Sequence, residues 1–313
     1  MRTIWTITPN PALDFTYKVP ALNYGHSHRV DDVEIRPGGK GINVARVLAQ
    51  LGYTSSITGF LGGSNGTFFR ELLSQCTPAD LVRPCFIDTT AQTRMSIAVV
   101  DSDATVFNEA GSAPQEEDWG RLCTLLATEV RPGDIVACCG SFPGDSSATW
   151  MSAVVRTVHE AGARILVDAS GALLRAACEA GADVVKPNDI ELRQTTGVED
   201  VAEGARALLT QGVGVVIVSE GARGMSVHGP DGAFRALPAR SIEGNPTGAG
   251  DASVAAWCAF LASYDGPLSA QALAGALPQA VALSGAAVAC PVAGEVDRDL
   301  YEEMLPLVKV ESY

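Results

Sequence analysis

Short apolar runs recur along the chain at 3–8 (TIWTIT), 95–100 (MSIAVV), 134–139 (DIVACC), 164–168 (RILVD), 183–186 (DVVK) and 213–219 (VGVVIVS). Each has the length of a strand. Between them, residues 41–51, 115–130, 146–162, 170–180, 189–195 and 200–211 carry apolar positions at helical spacing. Several of these runs close on a glycine: Gly52, Gly162, Gly181 and Gly212. Continuous apolar strands alternating with helices predict an α/β fold whose mostly parallel sheet is covered on both faces. Residues 14–19 (DFTYKV) and 29–36 (RVDDVEIR) break that pattern by alternating polar with apolar positions, as exposed antiparallel strands do. We expect them to form a small β flap, with 94–108 available to pair with them. Nothing reads as a repeat, a low-complexity tract or a linker. The expectation is therefore one domain over 1–313, with a lid drawn from about 12–36 and 92–108.

Composition narrows the class of partner. The 313 residues are 47% hydrophobic and 19% charged, which is globular rather than disordered. A net charge of −14, with no basic run to offset it, argues against nucleic acid. The eight cysteines are scattered without a C-x-x-C pair and read as reduced core thiols. The opening MRTIWTITPN has no signal-peptide core, and the Ala-rich 267–291 stretch, broken by Pro278, reads as a buried helix or helix pair. A cytoplasmic chain with no membrane partner is expected.

Two glycine clusters change the picture. In 245–257, NPTGAGDASVAAW, a tight turn at Gly248, Ala249 and Gly250 opens a helix of small apolar residues. Such a turn leaves backbone N–H groups facing outward at the positive end of the helix dipole, a ready anion site. Asp251 fits that site poorly as a binder. It is either an ordinary N-cap or a base. The second cluster, RPGGKGINVARVLAQLG at 36–52, places Gly38, Gly39 and Lys40 at the entry of a helix that carries Asn43. Close helix–sheet packing would explain the glycines, but a lysine at a helix N-terminus implies an anion. Neither cluster satisfies the P-loop or the dinucleotide-binding fingerprint. In 184–191, VVKPNDIE, Asn188 and Glu191 have capping-box spacing, and equally could face a magnesium nucleotide. SEGARG at 219–224 ends the most hydrophobic strand.

Together these clusters resemble the PfkB, or ribokinase-like, carbohydrate kinases over nearly the whole chain. The late PTGAGD is the most specific of the shared motifs. TPNPALD, PGGKGINVARVL and the GSFPG at 140–144 are similar to the sugar-phosphate branch of that family. The resemblance implies a ribokinase-like three-layer sandwich with a sheet of about nine strands, a β-sheet lid, and homodimers formed through the lid. It implies Asp251 as base, with Gly248, Ala249 and Gly250 forming the anion hole. Asp14, Gly38, Gly39 and Asn43 would meet the sugar. Lys40 and Arg94 would hold its existing phosphate, and Ser141 would contact that phosphate or the sugar. Lys186, Asn188, Glu191, Ser219, Gly221, Gly224 and Thr247 would address ATP, with Mg²⁺ near Asn188 and Glu191 and a monovalent cation as a further partner. The activity so implied is phosphorylation of a ketohexose monophosphate. The alternatives are a kinase of neutral sugars or nucleosides, and a sugar-phosphate sensor without turnover. The paired cations speak against the first, and the carboxylate at the anion hole against the second.

Overall fold

The computed structural model describes residues 2–101 and 103–313. The chain begins with β1 (Ile4–Thr8), β2 (Ala12–Lys18), β3 (Val33–Gly38), α1 (Lys40–Gln50), β4 (Ser55–Gly62) and α2 (Gly63–Cys76). Short strands β5 (Val82–Pro84) and β6 (Ile87–Thr89) lead to β7 (Arg94–Val100), β8 (Ala104–Asn108) and α3 (Glu116–Glu129). The middle alternates strand with helix, doubling the helix once: β9 (Ile135–Cys139), α4 (Thr149–Glu160), β10 (Arg164–Asp168), α5 (Gly171–Glu179), β11 (Val184–Val185), α6 (Asp189–Thr196), α7 (Val201–Leu209) and β12 (Val215–Ser219). The last third comprises β13 (Met225–Gly229), β14 (Gly232–Leu237), α8 (Ala249–Ser263), α9 (Ala270–Ala274), α10 (Leu277–Val288), α11 (Arg298–Met304) and β15 (Lys309–Ser312).

The main sheet runs β15-β14-β13-β12-β11-β10-β9-β1-β4-β5, with β6 also on β4. Its centre is parallel, while β13, β14 and β15 add an antiparallel margin. These eleven strands exceed the nine implied by the resemblance. Period-two alternation sends neighbouring strand residues to opposite layers. Ile4, Ile135, Leu166 and Val215 join α1, α8 and α10 on one face, whereas Trp5, Val136, Ile165 and Val216 join α3, α4, α5 and α7 on the other. The result is a ribokinase-like three-layer α/β sandwich.

A separate four-stranded sheet, ordered β3-β2-β7-β8, forms the lid. Its hairpin pairs β2–β3 and β7–β8 are antiparallel, but β2 and β7 run parallel, because both leave the body at the same end. The lid strands start at Ala12 and reach Gly38, and 19–32 holds no strand. No helix among the described residues is long and apolar enough to cross a membrane. Cys138, Cys139, Cys178 and Cys258 are buried as expected, but Cys76 is exposed and Cys85, Cys123 and Cys290 are half-buried, so only half of the thiols belong to the core.

Candidate active site

A cleft of about 940 Å³ opens between the lid and the carboxyl ends of the parallel strands. That location follows from the topology: strands end there, and the turns that follow carry the side chains. Asp168 ends β10, Lys186 follows β11 and Ser219 ends β12, and all three line the cleft. From the far side come Asp14 on β2 and Arg94 on β7.

The turn before α8 has the form its sequence predicts. Gly248, at φ +91°, is the N-cap, and a Cβ there would stand 2.8 Å from Ala293 Cα, so only glycine fits. Asp251 is therefore the third residue of the helix and not its cap. Its buried carboxylate accepts a hydrogen bond from Asn43 Nδ2 at 2.8 Å. Burial pushes the Asp251 carboxyl up to about 7, reinforced by the negative charge of Asp168 and opposed by Asn43, Lys40 and Lys186. A carboxyl in that range can exchange a proton near neutral pH.

Beside it lies a charge cluster built on the buried Asp168 and Lys186, with the half-exposed Lys40. Asp168 Oδ2 accepts from Lys40 Nζ at 3.2 Å, and its Oδ1 stands 3.8 Å from Lys186 Nζ. Burial alone would raise the Asp168 carboxyl, but Lys186 and Lys40 outweigh it and hold it below its ordinary range. Asp168 in turn holds the Lys40 ammonium above its ordinary value. The Lys186 ammonium is 3.8 Å from the position a Cβ on Gly250 would take, so a cation abuts the turn, whose Ala249 N–H is itself taken by the Pro246 carbonyl at 3.2 Å. Sequence reasoning missed Asp168. The signal was present in RILVD, because an acid closing a wholly apolar strand must find a cation there or leave the core.

The structure assembles most of the predicted residues and leaves two aside. Gly39, Lys40, Asn43, Asp14 and Arg94 line the cleft, as do Lys186, Asn188, Glu191, Ser219, Gly221, Gly224 and Thr247–Asp251. Asn188 and Glu191 do form the capping box: Asn188 Oδ1 accepts from Glu191 N at 2.7 Å, and Glu191 Oε2 accepts from Asn188 N at 2.9 Å. Capping and cleft-lining coexist in the same pair. Gly38 lies behind the cleft and makes room for Asp14, whose Oδ2 is 1.8 Å from where a Gly38 Cβ would sit. Ser141 also lies outside the lining residues, exposed, its Oγ accepting from Asn10 Nδ2 at 3.2 Å. Arg94 donates Nε to the Asn10 carbonyl at 3.2 Å and Nη1 to the Glu109 carbonyl at 3.1 Å. It and Lys40 are thus engaged with different partners. Burial pushes the Asp14 carboxyl up to about 6 against the pull of Arg94 and Arg46. At the other end, Met225, Ile242, Val281, Val288 and Met304 make an apolar recess that the motifs did not announce.

Backbone donors at a helix head, flanking cations and a buried carboxyl able to exchange a proton are features that phosphoryl transfer can use. The model of the pfkB family carbohydrate kinases matches residues 7–298. The chain belongs to the PfkB family of carbohydrate kinases. Like its family, it is an ATP-using phosphotransferase with an alcohol group as acceptor. It is 30% identical to a 1-phosphofructokinase of Haemophilus influenzae over 99% of this chain and 98% of that one. With a 1-phosphofructokinase of Rhodobacter capsulatus it shares 36% identity over 80% of this chain and 81% of that one. Among solved structures, the tetrameric inhibited form of phosphofructokinase-2 from Escherichia coli superposes with a TM-score of 0.87 at 26% identity, covering 98% of this chain and 99% of that one. The same enzyme in complex with potassium gives 0.88 at 26% identity and the same coverage.

Proposed function

We propose that this PfkB kinase transfers the γ-phosphoryl group of ATP to a free hydroxyl of a ketohexose monophosphate, giving the bisphosphate. Fructose 1-phosphate is the first candidate acceptor, on the strength of the curated relatives. The observation that carries the reading is Asp251, buried at the head of α8 beside open backbone donors and titrating near neutrality. A pure sensor gains nothing from an acid at its anion hole. In the proposed reaction Asp251 accepts the hydroxyl proton as the oxygen attacks phosphorus, the Gly248 and Gly250 N–H groups and Lys186 stabilise the transferring phosphoryl, and ADP leaves.

The remaining roles follow from position. Asp14 hydrogen-bonds a sugar hydroxyl, and Arg94 meets the phosphate already on the acceptor. Lys40, drawn towards Asp168 and facing Asp251 and Glu191, sits where charge passes between the two substrates. The nucleotide base fits the apolar recess at Val281, Val288 and Met304. Among the described residues no group of three or more His, Cys, Asp or Glu side chains could hold a metal ion. Asn188 and Glu191 are the residues that would face Mg²⁺ brought in on the ATP phosphates, an ion that ordinarily keeps several of its waters. When bound, Mg²⁺ neutralises phosphate charge. A monovalent cation is proposed by analogy with the potassium complex of the relative.

The lid supports a further proposal, that two copies pair through it. Phe15 lies opposite Ile35 and Ile97, and Ile97 opposite Phe107, so one apolar row crosses all four strands. Its end is open: Phe107 is 58% exposed. A row of that kind seeks a cover. The test of function is an ADP-release assay over phosphorylated and free ketohexoses. Turnover of a ketohexose phosphate is expected. Turnover of only neutral sugars or nucleosides, or calorimetric binding without turnover, would overturn the reading.

A further inference from the structure

Asp14 is surrounded by arginines and bonded to none of them. Arg36 is its cross-strand neighbour on β3, Arg94 opens the adjoining strand β7, and Arg46 reaches towards it from α1. Burial and the charges of Arg94 and Arg46 act on the carboxylate, but no hydrogen bond from the described residues does. Each arginine is engaged elsewhere. Arg94 is held by the Asn10 and Glu109 carbonyls. Arg36 is held by Glu34 and, through Nη1, by Glu295 Oε1 at 2.8 Å. Arg46 donates Nη2 to that same Glu295 oxygen at 3.3 Å and Nη1 to the Ala293 carbonyl at 3.4 Å.

One carboxylate, Glu295, therefore occupies two of the three guanidinium groups. It lies in the loop between α10 and α11, outside the cleft lining. The Arg46 side chain is only 10% exposed, so it needs an acceptor wherever it points. A guanidinium can take both oxygens of a carboxylate at once and so compete for them with a sugar hydroxyl.

We propose that Glu295 is a positioning residue for the acceptor substrate: by holding Arg36 and Arg46 it keeps Asp14 open to a sugar hydroxyl. The inference rests on the reading of Asp14 as the sugar's partner. Lys40 shares the cleft but is tied to Asp168, and Glu34 and Glu109 stand behind Arg36 and Arg94. Arg36 and Arg46 are thus the groups that Glu295 can release onto Asp14.

The test is Glu295→Gln, which keeps shape and removes charge, compared with the double variant Arg36→Gln/Glu295→Gln. In the substrate-free protein, carboxyl-detected NMR, assigned with Asp14→Asn, follows the Asp14 titration. Its midpoint should fall from about 6 in the parent by about one unit or more in Glu295→Gln, as an approaching cation requires. The double variant should restore much of it. In kinetics, the KM for the sugar phosphate should rise roughly tenfold in Glu295→Gln, with the KM for ATP and kcat nearly unchanged, and the double variant should recover. An unmoved Asp14 midpoint would overturn the proposal, as would a fall in kcat that the double variant does not relieve, the behaviour of a plain structural brace. Should Glu295→Gln fail to fold, Arg36→Gln alone decides, because an idle Arg36 predicts a near-parent sugar KM and a large rise refutes it. If the parent turns over no ketohexose phosphate, the proposed function falls, while the titration still judges Glu295 by itself.

Discussion

Replacing Asn43 with alanine should move the pH at which the enzyme switches on. Asn43 Nδ2 bonds Asp251 Oδ2 at 2.8 Å in a buried site, and that bond favours the ionised carboxyl. With the bond in place, burial and Asp168 still push Asp251 up to about 7. A hydrogen bond to a charged group contributes about 1.5–3 kcal/mol, and one pKa unit corresponds to about 1.4 kcal/mol. Losing the bond should raise the Asp251 pKa by about one to two units. A base works deprotonated, so the acid limb of kcat/KM, which reports the free enzyme, should shift from near 7 to about 8 or higher. At pH 7 the ionised fraction then drops from about a half to about a tenth or less, a loss of roughly fivefold or more that fades towards pH 9. Coupled ADP release at low sugar concentration, taken across that range, measures it directly. If activity falls by the same factor at every pH and the limb stays in place, Asn43 serves only the substrate and Asp251 is not the titrating base.

Three further outcomes are expected. Asp251→Asn should lower kcat by ~10²–10⁴-fold; because burial raises the folded Asp251 pKa, the parent loses stability as pH rises from about 4 to about 7, so this variant should melt higher than the parent at pH 8 and converge with it near pH 4. Arg94→Ala should reduce kcat/KM for the sugar phosphate by roughly ten- to 150-fold with little change in the KM for ATP; an unchanged ratio of phosphorylated to free sugar would remove Arg94 from the phosphate. Phe107→Asp should shift the protein towards monomer in sedimentation velocity, and an unaltered distribution would exclude the apolar row of the lid from the interface.

The sequence disclosed the chemistry better than its arrangement. The parallel centre of the sheet was legible because Val136, Ile165 and Val216 sit in unbroken apolar runs, the mark of burial on both faces. β4 was not, since SSITGFLG mixes polar and glycine positions. Gly59 is there because a Cβ would stand 1.9 Å from the Thr8 carbonyl of neighbouring β1, a demand invisible in one dimension. In the site, the helix-entry glycines and Asp251 were readable from local chemistry. The pairing of Lys40 with Asp168 was not, because 128 residues separate them and only the sheet brings them together. Nor could spacing tell that Gly38 clears room for Asp14, or that Ser141 faces Asn10 and stands outside the cleft.

The helix that bears Asp251 has a consequence for how the chain is made. Ile4, Val44, Val47 and Leu48 are among the first residues synthesised, yet their core is completed by Val254, Ala255 and Cys258 on α8 and by Ala280 and Leu283 on α10. At ~5–20 residues per second, the early strand and helix wait on the order of ten seconds or more for partners about 200 residues downstream. During that interval a nascent chain carries a bare apolar face, exposed to chaperones and to other nascent chains. Any fragment ending before α8 therefore lacks the helices that cover one face of the sheet, and Asp251 with them. Closure of that face and Asp251 arrive with the same helix, so prematurely terminated chains leave the face open to the quality-control machinery.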